Sequence, residues 1–457
     1  GDGIVSQDEP YICAKYTYPS EPTSLYNSYG IYNVEGKLYY YDGKIEGMAK
    51  AVYDTITERE ENTELNYNED QTILTLSTEI TPIAQIGNTT YDTIQAAIDA
   101  SGNEQTTIKI LRNATFTNND TKIIVPNNKN IILDLNGYQI IASIPETLIQ
   151  NEGILEIQDT SAEQDGILVS QTEKTINNCS GAKLTIIGGT LENRRETVVY
   201  NQGELIVNGG KINAVVNNYE RTYGIYNLEN ATLKIEDGEV NSTISKNSIN
   251  AYSIFSYGIY NESVKNVLIT GGNITSKNDR AYNTTQKNNN YCYAIYNAST
   301  GSIEVSNTTI NSISNNYYNY DAYCYGIYNL TQGNVIVSNS VVNSEITVTQ
   351  HGTNSYSYGI YNNDTGKIEI ISGEIKSNSN LNEYEYVGTN NSYGIYNNAG
   401  IITLGTKTDN QLLQEELIIQ VTGNEIGTSK NRIGIYNVEG TLQYYDGIIK
   451  GIDKAIV

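Results

Sequence analysis

Tyr325-Gly326-Ile327-Tyr328-Asn329 decides the fold of this chain, because the same five residues keep returning. They recur at 29–33, 223–227, 257–261, 358–362 and 393–397, with Ala294 replacing Gly in the copy at 293–297 and Ile433 replacing the first Tyr in the copy at 433–437. From Asn227 to Asn437 the motif asparagines are separated by 34, 36, 32, 33, 35 and 40 residues. Fainter copies precede them at Leu148-Ile149-Gln150-Asn151, Thr175-Ile176-Asn177-Asn178 and Val198-Val199-Tyr200-Asn201. A period of this length marks a repeat architecture, in which each unit buries its apolar face against its neighbours.

Each Asn is followed at nearly fixed distance by an apolar–other–apolar triplet, such as Leu233-Lys234-Ile235, Val335-Ile336-Val337 or Ile368-Glu369-Ile370. That alternation reads as a strand with one buried face. A turn follows, as at Gly188-Gly189, Asp237-Gly238 and Ser372-Gly373, and then a third short strand around Leu191, Val240, Ile274, Ile310, Val342 or Ile375. Three short strands per repeat with Gly and Asn corners describe one coil of an all-β, right-handed parallel β-helix. A β-propeller has repeats of similar length, but it needs four strands per blade and a fixed blade number. Here the spacing drifts and the copies number about a dozen, which favours the solenoid.

The aliphatic position is expected to face inward, at Ile225, Ile259, Ile295, Ile327, Ile360 and Ile395. The next position accepts Gln150, Asn177 or Tyr and is expected to face out. Rungs stack about 4.8 Å apart, so the second Tyr should form a surface ladder. Asn227, Asn261, Asn297, Asn329, Asn362 and Asn397 should form a corner ladder with side chains hydrogen-bonded along the axis. The Gly before Ile points to close packing or a bulge. The rest of each rung, at 245–256, 276–292, 312–324, 344–357 and 377–392, is an excursion rich in Asn, Tyr and Ser, expected to project from one side. This is the residue mixture of binding loops, in which Tyr supplies rigid contact area. Tyr317, Tyr318 and Tyr320 are the candidate adhesive surface.

Residues 83–457 read as one β-helix module. Asp92-Thr93-Ile94-Gln95 suggests a capping box, opening a helix at about 92–101 that would cover the end of the solenoid. Ile108 to Leu111 and Ile131 to Gly137 follow as strands of the first rung. The chain repeats itself at an offset of 404 (434 minus 30): Gly30-Ile31-Tyr32-Asn33-Val34-Glu35-Gly36 returns as 434–440, and Tyr40-Tyr41-Asp42-Gly43 as 444–447. Residues 1–53 therefore read as the last rungs of a preceding module, and 54–82 as a linker or capping segment. Two organisations fit: a window of a tandem array of such modules, or one chain whose matching ends stack subunits head to tail. The chain opens on Gly1 with no signal peptide in view and reads as a mature or excised segment.

Composition narrows the function. The formal net charge is −24, from 28 Lys+Arg against 52 Asp+Glu, which gives no overall attraction for nucleic acid or anionic lipid. No apolar run is long enough to insert in a membrane. There are 40 Tyr against 2 Phe, no Trp, 1 Met and 1 His. His351 stands alone in an excursion. No Asp-x-Asp-x-Asp calcium loop and no zinc spacing is present, so no cofactor is implied.

The stretches Ile83-Ala84-Gln85-Ile86-Gly87, Tyr91-Asp92-Thr93-Ile94-Gln95-Ala96-Ala97-Ile98 and Ile131 to Gly137 resemble the opening of pectate-lyase-like right-handed β-helix modules of large bacterial surface proteins. The closing Tyr445-Asp446-Gly447-Ile448-Ile449-Lys450-Gly451 is similar to the last rung of such modules. The resemblance implies a bacterial extracellular setting, at the cell surface. It does not imply one activity, since the superfold hosts lyases, hydrolases, tailspikes, adhesins and filament proteins. β-helix polygalacturonases use clustered Asp with a His and an Arg-Ile-Lys stretch; here Arg432-Ile433 runs into Gly434, and no Asp pair accompanies it. β-helix lyases use Arg or Lys beside calcium-binding Asp, and no Arg here sits in such a context. The expectation is therefore no enzyme, but a structural or adhesive module, with a self-associating filament subunit or a polysaccharide-binding or polysaccharide-active protein as alternatives. Partners would be further modules or copies, or a host or environmental glycan or protein.

Cys292 and Cys324 each lie five residues before their motif Asn, in one register on adjacent rungs. Rung spacing puts their Cα atoms within disulfide range, although parallel neighbours present their side chains poorly. Either a disulfide or a ladder of unlinked thiols fits. Cys13 and Cys179 have no evident partners.

Overall fold

In the computed structural model, the described residues of 83–457 exclude 118–119, 146, 218, 247–252, 281–288, 317–320, 349–353, 382–387, 407–415, 425 and 427–428. Within 1–82 they are 11–14, 29–32, 38–40, 44–47, 50–53, 58–59, 64–68, 71, 73–77 and 82. The chain divides into two compact units, 1–82 and 83–457.

The larger unit is a parallel β-helix. Its motif strands form a 12-stranded sheet running from Ile123–Val125 to Lys454–Ile456, every strand parallel and in register with the next. We call it the tyrosine sheet. The triplet strands, such as Val335–Ser338 and Lys367–Ile370, stack as a second sheet. Strands such as Ser340–Val348 and Gly373–Leu381 stack as a third. The core is a set of aliphatic columns between the three: Ile327 from the first, Val335 and Val337 from the second and Val342 from the third are all inaccessible to solvent. Like side chains fill like positions on successive rungs, so one packing solution propagates along the axis.

The asparagine column is continuous. The side-chain Nδ2 of Asn151 donates to Oδ1 of Asn178 at 2.8 Å, and the relay continues through Asn201, Asn227, Asn261, Asn297, Asn329, Asn362 and Asn397 to Asn437, each bond 2.7–2.9 Å. All but the last are fully buried. The second amide hydrogen reaches a corner carbonyl, such as Gly301 O for Asn297 and Gly366 O for Asn362. A buried primary amide must satisfy two donors and an acceptor, and this corner supplies partners for all of them. At the corner between the second and third sheets the chain turns through the left-handed region. Gly238 holds it with φ +100°, and Asn307 and Asn339 hold it at 50° and 41°, the two residue types that tolerate this conformation best.

The motif Gly is a bulge residue. Tyr325 pairs with Tyr358 and Ile327 with Ile360. Both tyrosines, Tyr325 and Tyr328, face out while Ile327 faces in, so Gly326 is the extra residue that restores the alternation. A Cβ on Gly326 would lie 2.5 Å from both Gly359 O and Val342 Cγ1. The bulge itself does not demand Gly, since Ala294, Val198, Thr175 and Leu148 hold the same register position. Close packing against the next rung and the third sheet is what makes Gly the common choice.

One expectation about the rungs changes. The third strand is not short: from Asn273–Arg280 to Gly373–Leu381 it runs eight or nine residues, and the tyrosine-sheet strands begin up to four residues before the motif. Most of the described part of each excursion is therefore sheet. Two layers extend beyond the aliphatic core and enclose a second, narrow interior, with strict alternation along Ser340–Val348. Serines line its neck. Ser357 Oγ bonds Ser344 O at 2.9 Å, and Ser377 Oγ bonds Ser357 O at 2.9 Å. Cys292 and Cys324 stand in the same column as these serines, and deeper in lie Ala322, Ile346, Val348 and Leu381.

The helix spans Ile94–Ala100, shorter than expected. Thr93 Oγ1 accepts from the N–H of Ala96 at 3.0 Å, while Gln95 does not complete a capping box. Its amide instead imitates a peptide group for the edge strand Ile123–Val125. It accepts the Ile124 N–H at 2.8 Å and donates to Ile124 O at 3.1 Å. Ile94 and Ile98 are buried against the core end. Strand Ala84–Ile86 pairs antiparallel with Thr106–Ile110 and Thr89–Tyr91, so this end of the solenoid is sealed. The strands expected in the first rung are present as Thr106–Ile110 and Asn130–Asp134, but they pair in parallel, register on register, and so lie on successive rungs and not on one.

In the smaller unit, Tyr29–Tyr32 pairs in parallel with Lys50–Tyr53. Strand Ile73–Ser77 pairs antiparallel with Lys44–Gly47 and with Glu64–Tyr67. The segment expected as linker or cap thus carries a hairpin bound to a rung.

Breaking the asparagine relay tests this description. Asn329→Leu leaves Asn297 Nδ2 and Asn362 Oδ1 each short of a partner, so denaturant unfolding should show a loss of about 3 kcal/mol, against well under 1 kcal/mol for the exposed control Asn127→Leu. Asn329→Asp should cost more at pH 7 than at pH 4. The buried carboxyl has no cation beside it, its folded pKa is raised, and stability falls as pH rises through that value.

Candidate functional surface: the tyrosine ladders

Three aromatic columns cover the outer face of the tyrosine sheet. The first motif position gives Tyr223, Tyr257, Tyr293, Tyr325, Tyr358 and Tyr393, stacked with ring centroids 4.9–5.2 Å apart. The second gives Tyr200, Tyr226, Tyr260, Tyr296, Tyr328, Tyr361, Tyr396 and Tyr436, at 4.9–5.3 Å. A third column, Phe255, Tyr291, Tyr323 and Tyr356, runs beside them at 4.8–4.9 Å. Rung spacing places consecutive rings at stacking distance, and the bulge allows two outward tyrosines per motif. From Tyr257 to Tyr396 the two of each rung meet edge to face, as Tyr325 and Tyr328 do at 4.9 Å and 88°, a favoured arrangement of aromatic quadrupoles.

The consequence is that outward-facing rings are buried. The first-position tyrosines are only 6–8% exposed, although they lie outside the core. Burial, followed by the neighbouring phenols, pushes the hydroxyls of Tyr257, Tyr325 and Tyr358 well above the ordinary phenol range. Burial and the Glu262 carboxylate push Tyr260 up to about 12. Tyr226 donates to Glu262 Oε1 at 3.0 Å.

This geometry limits what the surface can recognise. Sugar rings dock on aromatic faces, yet here each interior ring gives its faces to the rungs above and below. Tyr200, at one end of its column, has Lys174 Nζ 4.3 Å over its ring. What the surface offers to solvent is ring edges and phenol hydroxyls in a regular row.

The other residues singled out in the sequence fall as follows. The isoleucines Ile225, Ile259, Ile295, Ile327, Ile360 and Ile395 are all in the core. Cys292 and Cys324 are register partners and both are free thiols. Each occupies the place that Ser256 and Ser357 hold on neighbouring rungs. Cys292 Sγ donates to Ile313 O at 3.1 Å, as a serine hydroxyl would. Burial, then the neighbouring Cys324, raises the Cys292 thiol far above its usual range. Cys179 is also free, and half-buried. Tyr317, Tyr318, Tyr320 and His351 lie outside the described residues.

The serine column and the third aromatic column were missed from sequence. Their signal is the alternation before the motif: Phe255-Ser256-Tyr257, Tyr291-Cys292-Tyr293, Tyr323-Cys324-Tyr325 and Tyr356-Ser357-Tyr358. At the final motif rung Arg432 takes the serine position, 3% exposed. Its guanidinium forks onto Asp453, with Nη2–Oδ1 at 2.8 Å and Nε–Oδ2 at 3.1 Å, and this pairing holds the Asp453 carboxyl below its usual range. Asp159 is an organiser of a turn. Burial pushes its carboxyl up, but the N–H groups of Ser161, Gly166 and Gly137 together hold it below its usual value. Among the described residues no three His, Cys, Asp or Glu side chains gather as a metal site, and no helix is long and apolar enough to cross a membrane.

No protein family, no curated protein and no solved structure matches this chain.

Spectrophotometric titration should find a large group of tyrosines that stay neutral above pH 10 and ionise together as the structure opens. Their folded pKa values exceed the unfolded value of about 10, so their contribution is complete below that pH and lost as pH rises through the folded values. A single titration step near pH 10 with the far-UV spectrum unchanged would contradict the ladder. In native protein at pH 8, iodoacetamide should label Cys179 well before Cys292 and Cys324, and all three should react in denaturant without reductant.

Proposed function

We propose that the chain is a structural, adhesive repeat module of a large bacterial extracellular surface protein or fibre, a stiff rod and not a catalyst. The observation that carries this reading is the unbroken run of side-chain columns parallel to the axis. Twelve rungs at about 4.8 Å make a rod about 50 Å long. Asparagine relays, stacked rings and aliphatic columns all resist the separation of one rung from the next. The tyrosines, the most visible candidates for recognition, spend their faces on one another, which favours a mechanical role for them. The resemblance of 83–98 and 131–137 to the opening of pectate-lyase-like modules supports the bacterial surface setting. The adhesive part of the reading rests on the excursions, whose Tyr, Asn and Ser suit contact with a glycan or protein.

Single-molecule pulling between the ends of the 83–457 unit tests the rod. Rungs should detach in discrete steps, each releasing the contour of one or more rungs, about 80–140 Å apiece for motif spacings of 23 to 40 residues. Smooth extension without steps would contradict it. Depolymerisation of any member of a polysaccharide panel would replace this reading by an enzymatic one.

A further inference from the structure

We propose that the last rung of the larger unit is a docking edge for an antiparallel β-hairpin built like residues 64–77. The structure contains this rung twice. In the smaller unit Ile31 pairs with Val52, and 404 residues on (434 minus 30) Ile435 pairs with Ile456. The surroundings agree in detail. A Cβ on Gly30 would lie 2.5 Å from Ile45 Cγ2 and 2.6 Å from Ala51 O, and one on Gly434 would lie 2.4 Å from Ile449 Cγ2 and 2.6 Å from Ala455 O.

The two copies differ in what covers them. In the first, Ile73–Ser77 lies antiparallel along Lys44–Gly47 with Leu74 opposite Ile45. The Ala51 N–H also donates to Gln71 O at 2.7 Å. Ile45, Ala51, Val52 and Leu74 form a closed apolar cluster, with Val52 only 5% exposed. In the second copy, strands Ile448–Lys450 and Lys454–Ile456 have a strand partner on one side only among the described residues. Ile448, Ile452 and Ile456 are 44%, 46% and 46% exposed. An edge with free N–H and C=O groups beside exposed isoleucines is a template for strand addition. The chain itself shows which occupant fits: a hairpin whose inner strand supplies one buried leucine against the isoleucine of the rung.

End-to-end stacking of a second copy fits less well. The opposite end of the unit is closed by the helix Ile94–Ala100, whose Gln95 amide occupies the groups of Ile124 and whose Ile94 and Ile98 fill the core. A second copy could add there only by displacing that cap. The inference stands whether or not the adhesive reading holds.

The test is hydrogen exchange on the full chain carrying a second copy of residues 54–82 after Val457. Amides of 448–456 should exchange at least tenfold more slowly than in the unextended chain, and Leu74→Asp in the appended copy alone should abolish that protection. Equal exchange with and without the extension, or protection that survives Leu74→Asp, would overturn the proposal. So would an unextended chain already protected at 448–456 and sedimenting as a multiple of 50.5 kDa, because a second copy would then hold the edge.

Discussion

A buried carboxamide is tolerated only where every one of its hydrogen-bonding groups finds a partner, and in this protein the partner is the same residue one rung away. That relation makes the fold periodic. The Asn297 amide is satisfied because Asn261 and Asn329 stand directly before and after it, and theirs because the relay continues. A slip of one residue in any strand would place Tyr328 or Leu330 in the corner and leave two neighbours unsatisfied. The aliphatic columns supply most of the driving force, as in any core, but an aliphatic column tolerates a slipped or swapped neighbour better than an amide does. Register is specified by the polar column.

Once register is set, the outer face follows. Rings at the same motif position are brought to stacking distance whether or not anything binds them. The bulge at Gly326 and its equivalents turns two tyrosines outward on each motif, and the edge-to-face contact between them buries the first. The surface therefore behaves as a second core, raised on the outside of the solenoid. The extended wings form a third packing layer. It is more polar than the first, and the hydroxyls of Ser344, Ser357 and Ser377 are satisfied by strand carbonyls across the narrow interior. Three layers of different chemistry share one spacing, and a substitution in any of them is felt along the axis and not only locally.

Much of this was legible in the sequence. The inward Ile, the corner Asn, the outward second Tyr and the bulge at Gly are all consequences of a period-two pattern meeting a repeat of about 34 residues. The capping helix was legible from Thr93 and the apolar face of Ile94, Ala97 and Ile98. Other features were not. Segments rich in Asn and Ser carry the composition of loops, so the full length of strands such as Asn273–Arg280 and Thr309–Asn316 was hidden by residue type. They hold because neighbouring rungs supply the backbone partners, a tertiary effect that overrides local preference. The first-position Tyr was given no place by the sequence pattern. Its burial depends on ring-to-ring contacts between rungs, which one repeat cannot reveal. Cys292 and Cys324 suggested a bond through spacing alone, whereas the carbonyl partner of Cys292 and the serine equivalents of both mark them as isosteres in a hydroxyl column.

The account rests on the asparagine relay, and side-chain amide exchange measures it directly. With uniformly labelled protein, the Nδ2 hydrogens of the buried asparagines from Asn151 to Asn397 should remain protected for hours after transfer to deuterium oxide. Exposed amides such as that of Asn127 should exchange at once. A set of asparagine side chains that all exchange within the dead time, while the backbone of the tyrosine sheet stays protected, would contradict the claim that the relay holds the rungs in register.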